Sequence, residues 1–173
     1  MELYIIRHGI AQERTSNCPD QLRSLTAQGQ EKTRQVAKKL YSLGLRFDLI
    51  MTSPLVRSRQ TAEILVESQL SSQWQESIHL APDGNISAWL DWLEQQQYPH
   101  STKLAIVGHE PNLGQWASML IGNQAPGRLV LKKAGIIGLT LPETGSPLGR
   151  SQMFWLTPPK FLVRSPHPPL SPA

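Results

Sequence analysis

The sequence predicts an α/β domain, a three-layer α/β/α sandwich around a mainly parallel sheet. Two observations carry this. Short apolar runs ended by turn formers alternate with stretches of helical periodicity. The last two runs follow each other with no helix long enough to cross over, which predicts at least one antiparallel pair.

Residues 3–6 form the first run, Leu-Tyr-Ile-Ile, ending at Arg7-His8-Gly9. Residues 47–51 form the second and stop at Thr52-Ser53-Pro54; residues 77–80 form a weaker third. Residues 104–107 form a fourth, ended by Gly108-His109, and residues 136–141 and 153–156 complete the set. Four to eight apolar residues between turn formers read as buried strands.

The helices follow the same logic. Thr26 can cap a helix running to about Leu43, with Gly44 as its stop. Val36, Leu40 and Leu43 share one face of it, and Glu31, Arg34, Lys38 and Lys39 the other. Pro54 can open a second helix, with Ala62, Leu65 and Val66 inward. Residues 86–93 form a third. Pro111 opens a fourth, with Leu113, Trp116, Ala117 and Leu120 inward. The predicted domain covers residues 1–163. Residues 164–173 hold four prolines in ten positions and are expected to be a disordered tail.

Composition excludes several classes. The 173 residues suffice for a hydrophobic core. No apolar run approaches the roughly 20 residues that span a bilayer. Met1-Glu2 leads directly into a strand, with no basic segment or cleavage site, so a cytoplasmic location is expected. The single cysteine, Cys18, permits neither an internal disulfide nor a multi-thiolate zinc cage, and reads as a bystander. The net charge of +4 suits an anionic ligand, but the positive residues are scattered and no basic run marks a nucleic-acid binder.

Three positively chargeable clusters follow three predicted strands: Arg7-His8-Gly9, Ser53-Pro54-Leu55-Val56-Arg57, and Gly108-His109-Glu110-Pro111. Ligands of open α/β sheets bind outside the carboxyl ends of strands, so these remote residues can share one crevice. Arginine offers a planar fork matched to phosphate oxygens, and a phosphoryl group in transfer needs donors around three oxygens. A neutral imidazole is a competent nucleophile, and nearby arginines would lower its pKa and keep it neutral. Gly9 would let backbone and phosphate approach closely. The arginines supply the positive charge, so neither metal nor cofactor is needed. Taken singly, each motif is weak: a lone histidine after a strand is usually structural. His79, His100 and His167 lack such company and read as non-catalytic.

These motifs resemble the histidine phosphatase superfamily, which includes cofactor-dependent phosphoglycerate mutase and the acid phosphatases. Asp20-Gln-Leu-Arg23-Ser-Leu-Thr26-Ala-Gln-Gly29 and Leu80-Ala-Pro-Asp-Gly84 are similar to segments of its small phosphohistidine phosphatases, the SixA group. The resemblance covers roughly residues 1–140. It implies a phosphoglycerate mutase-like fold, with His8 as nucleophile and Arg7, Arg57 and His109 binding the phosphoryl oxygens. Arg23 would add a substrate contact. Arg57 is carried over rather than Arg59, which is expected to be solvated or paired with Glu63. Ser53 is expected to cap the second helix.

No acid matches the larger phosphatases. Asp83 reads as a turn residue, and Glu110 as facing away from its neighbour His109. A missing acid disfavours alkyl phosphates, whereas the imidazole of phosphohistidine can be protonated before it leaves. The expected partner is a phosphorylated protein such as a histidine-containing phosphotransfer domain. A small phosphate ester and a non-catalytic phosphate-binding module are the alternatives; no nucleic acid or membrane partner is expected.

Overall fold

The computed structural model describes residues 1–122 and 129–163. The predicted tail and His167 lie outside the described residues. Six strands form one sheet: β1 (Glu2–Arg7), β2 (Leu49–Thr52), β3 (Trp74–Glu76), β4 (Lys103–Gly108), β5 (Ile136–Thr140) and β6 (Gln152–Thr157). Among the described residues four α-helices accompany them: α1 (Ala27–Ser42), α2 (Val56–Glu67), α3 (Ile86–Gln95) and α4 (Asn112–Leu120). The strand order is β3-β2-β4-β1-β5-β6. The first three pairs are parallel, and β5 runs antiparallel to both β1 and β6. The fold class and its antiparallel edge are those the sequence predicts.

Alternation along the strands builds two cores, one on each face. Leu3, Ile5, Leu104 and Ile106 point to the layer of α3 and α4, where Trp89 and Trp116 are buried with ring centroids 5.5 Å apart. Such a pair adds about 0.5–1.5 kcal/mol beyond its buried area. Tyr4, Ile6, Ala105 and Val107 point the other way, to Val36 and Leu40 of α1 and Ala62 and Leu65 of α2. Central strands buried on both faces require near-continuous apolar sequence. No helix among the described residues is long and apolar enough to cross a membrane.

Local differences from expectation have identifiable causes. The third strand is Trp74–Glu76, and residues 78–80 form a 3₁₀ turn instead. There Leu80 is buried from a turn, so apolar content alone misplaces the strand. The second helix starts at Val56, with Leu55 still extended. Thr26 caps α1 as expected, accepting from the Gly29 amide at 3.0 Å. Arg59 pairs with Glu76 of β3 at 3.3 Å rather than with Glu63, because a long side chain at a helix edge reaches the neighbouring strand end.

Candidate active site

Three adjacent central strands end side by side. Arg7 of β1 is in register with Gly108 of β4, and Thr52 of β2 with Val107. The backbone continues this pairing beyond the strands: His8 N–H donates to Gly108 O at 3.1 Å, and Ser53 N–H to Val107 O at 2.9 Å. His8, Ser53 and His109 are thereby delivered to one crevice at the carboxyl edge, beside the point where the sheet changes direction.

Both imidazoles are buried, with His8 6% and His109 3% exposed, and their centroids are 5.1 Å apart. His8 Nδ1 lies 2.7 Å from Gly9 O. A carbonyl only accepts, so Nδ1 carries the proton and Nε2 keeps its lone pair. His109 Nε2 meets Ser53 Oγ at 2.8 Å and Ser58 Oγ at 3.4 Å. These hydroxyls occupy that nitrogen, leaving Nδ1 as the free one. Both pKa values are pushed down to about 3. Burial is the largest cause for each ring. For His8 the neighbouring His109 comes next, with Arg57 and Arg7 behind it, so the arginines play the minor part. The rings are neutral at neutral pH.

Arg57 occupies the first turn of α2 and is 3% exposed. Its Nη1 donates to Asp20 O at 2.7 Å and its Nη2 to Asp20 Oδ2 at 3.0 Å. Arg23 Nε donates to Asp20 Oδ1 at 2.8 Å, and Arg14 Nε to the same oxygen at 2.8 Å. This arginine group holds the Asp20 carboxyl well below the usual carboxylate range, with the Arg14 hydrogen bond first among the causes. On the other side, Arg7 Nη1 donates to Leu131 O at 3.0 Å.

The predicted set of His8, Arg7, Arg57 and His109 therefore converges, and Arg23 joins it through Asp20. Arg7 Nε, Arg57 Nε and His109 Nδ1 are buried with no partner among the described residues. Leaving buried polar atoms unpaired is costly, and an oxyanion here would pair with the two guanidinium Nε–H groups and with His109 in its Nδ1–H tautomer. Among the described residues no cluster of three His, Cys, Asp or Glu is placed to hold a metal ion.

Several supporting residues are not evident from the sequence. Asp20 is one, although its place three residues before Arg23 is compatible with an ion pair. Ser53 is another: the N-cap of α2 is Leu55 and has no side-chain cap, so the expected capping by Ser53 is not seen, and its Oγ instead accepts from the Leu55 amide at 3.3 Å and contacts His109. Thr61 accepts from the Gly9 amide at 3.1 Å. Glu110 precedes α4 rather than lying on it. Burial pushes its carboxyl up, while the Arg7 charge and the Leu131 and Gly114 amides pull it down. Gly9 is required for packing: a Cβ there would sit 2.5 Å from Thr33 Oγ1. Asp83 is exposed in a turn, as expected.

A parallel-centred sheet carrying this anion cradle at its carboxyl edge suits a protein that binds and transfers a phosphoryl group. The sequence profile of the histidine phosphatase superfamily (branch 1) matches residues 3–81. An uncharacterized protein of Picosynechococcus sp. is 45% identical over 167 residues, covering 94% of this chain and 99% of that one. Phosphohistidine phosphatase SixA of Escherichia coli is 25% identical over 88% of this chain and 93% of its own length. The solved structure of the protein histidine phosphatase SixA complexed with tungstate superposes with a TM-score of 0.81 at 24% identity, covering 94% and 99% of the two chains. The α-ribazole phosphatase of Shigella flexneri gives 0.68 at 18% identity, covering 92% and 97%. The chain belongs to the histidine phosphatase superfamily.

Proposed function

We propose that this phosphatase hydrolyses phosphohistidine carried on a protein, such as a histidine-containing phosphotransfer domain, through a covalent intermediate on His8. The observation that carries the reading is the neutral His8 imidazole, its Nδ1 fixed by Gly9 O, beside three unpartnered buried nitrogens.

In the first step the His8 Nε2 lone pair attacks phosphorus and the P–N bond of the substrate breaks. The departing imidazole, already protonated on its other nitrogen, leaves neutral. Arg7, Arg57 and His109 bind the phosphoryl oxygens in the transition state, with Arg23 supporting Arg57 through Asp20. In the second step water attacks the phosphorus of phospho-His8, the new P–N bond breaks, and a proton passes to solvent as phosphate leaves.

The acids near the site favour this substrate class. Asp20 is held ionised by its arginines and has no proton to give. Glu110, although burial pushes its carboxyl up, is engaged by the Gly114 and Leu131 amides and by the Arg7 charge. Neither imidazole is hydrogen-bonded to a carboxyl among the described residues. An alkoxide leaving group would need a proton from such an acid, whereas phosphohistidine brings its own. The fold-level likeness to an α-ribazole phosphatase supports a second reading, hydrolysis of a small phosphate ester with the same nucleophile.

Turnover of a phosphohistidine peptide against p-nitrophenyl phosphate and sugar phosphates separates the two. The first reading expects kcat/KM for the peptide to exceed the esters by at least about a hundredfold, or roughly 2.7 kcal/mol. Equal or greater turnover of an ester overturns it.

A further inference from the structure

We propose that a basic groove next to the phosphoryl site seats an acidic, partly apolar polypeptide segment flanking the phosphorylated residue. This rests on the protein-phosphohistidine reading for the nature of the donor. The groove has a volume of about 710 Å³ and shares Arg7 with the active site. Its rim carries Lys32 of α1, Lys132 and Lys133 before β5, and Lys160 after β6. These come from three separate parts of the chain, and no acidic residue among the described residues lines the groove. None of the four lysines has an ion-pair partner among the described residues.

The chain as a whole carries 17 basic and 13 acidic side chains, so four lysines without an ion-pair partner beside Arg7 are a local concentration. It creates a positive potential that steers and retains an acidic ligand. The floor is different in kind: Val130 and Leu156 are 59% and 40% exposed there. Exposed apolar surface rimmed by charge marks an interaction site.

The mixture selects among anionic partners. Single-stranded nucleic acid is held by aromatic platforms, and the groove is lined by aliphatic side chains and prolines. A small phosphate ester would fill the cradle alone and leave the apolar floor wet. A polypeptide with Asp or Glu beside Leu, Ile or Val meets both chemistries, and Arg7 places it in continuity with the phosphoryl group.

The test uses two phosphohistidine peptides, one flanked by Glu and Leu, the other by Gln and Ser, with the full chain and its Lys132→Glu/Lys133→Glu/Lys160→Glu variant. All three side chains are exposed, so the fold tolerates the change. The proposal expects a lower KM for the acidic peptide by about tenfold, a preference abolished in the variant. Turnover of phosphoramidate should stay within about twofold of the parent, since no cradle residue is altered. Absence of the preference, or an equal loss on phosphoramidate, overturns the groove.

Should neither peptide be a substrate while a small ester is, the function proposed above fails by itself. The groove is then decided by fluorescence anisotropy of the unphosphorylated acidic peptide. Binding that the variant loses supports it. Binding that the variant keeps, or that short single-stranded DNA displaces at equal concentration, overturns it.

Discussion

Arg57 Nη2 donates to Asp20 Oδ2 at 3.0 Å, across 37 residues of sequence, and Arg57 Nη1 takes the backbone oxygen of the same residue. One short 3₁₀ turn thus grips the buried guanidinium at two points and leaves its Nε for a ligand.

Asp20→Ala should therefore weaken the cradle without emptying it. Arg57 keeps the backbone acceptor but loses its charged one, worth about 1.5 kcal/mol, or roughly tenfold in kcat/KM. Product inhibition by inorganic phosphate should weaken in parallel. A variant binding phosphate more tightly would mean that Asp20 competes with the ligand rather than aiming Arg57.

The two imidazoles link stability to pH. Their folded pKa values, about 3, lie below the ordinary 6.5 of the unfolded chain. As pH falls through 6.5 the unfolded state takes up protons first, so stability is full above that value and drains between 6.5 and 3. The slope approaches about 1.4 kcal/mol per pH unit for each ring. Asp20 adds to the loss lower down: its depressed pKa contributes stability in full above the ordinary carboxylate value of about 3.9 and loses it progressively below. Melting temperature followed from pH 7.5 to 4.5 should fall steeply in the parent and more gently in His8→Gln/His109→Gln. Parallel curves would contradict neutral burial of the rings.

Ser53→Ala removes the nearer partner of His109 Nε2 and leaves Ser58 Oγ at 3.4 Å. A drop of about tenfold in kcat is expected, with a larger, non-additive drop when Ser58→Ala is added. Unchanged kcat in the double variant would remove these hydroxyls from the mechanism.

Two glycines make a paired test of packing. A Cβ on Gly29 would lie 1.9 Å from Ile10 O, in the backbone just after the nucleophile. Gly29→Ala should cost about 3 kcal/mol or more and lower kcat as well. Gly44 has φ +80° with open space around it. Gly44→Ala should cost only about 1 kcal/mol, with kcat intact. Equal effects on melting temperature would contradict the close approach of α1 to the His8 loop.

How far the sequence reaches follows from what patterns encode. Strand ends are marked by where apolar runs stop, so the amino-acid order alone places Arg7, His8 and His109 at one sheet edge. Residues 77–80 mislead because burial from a 3₁₀ turn leaves the same apolar trace as a short strand. Asp20, Ser53 and Thr61 act through contacts spanning 37 to 56 residues, and nothing local distinguishes such a serine from a helix cap. Helix geometry misplaces Glu110, because the residue lies outside the helix to which that geometry applies. The groove beside Arg7 is hidden for a related reason: its lysines are scattered in sequence and gathered only by the packing of α1 beside β5 and β6.

The central claim is that phosphorus passes through His8. Rapid quench of the enzyme with a phosphohistidine peptide, followed by peptide mapping under alkaline conditions, measures this directly. The account expects an acid-labile, base-stable phosphoryl group on His8 within one turnover, absent in His8→Ala together with activity. Full turnover by His8→Ala, or a phosphoryl group found on another residue, would contradict it.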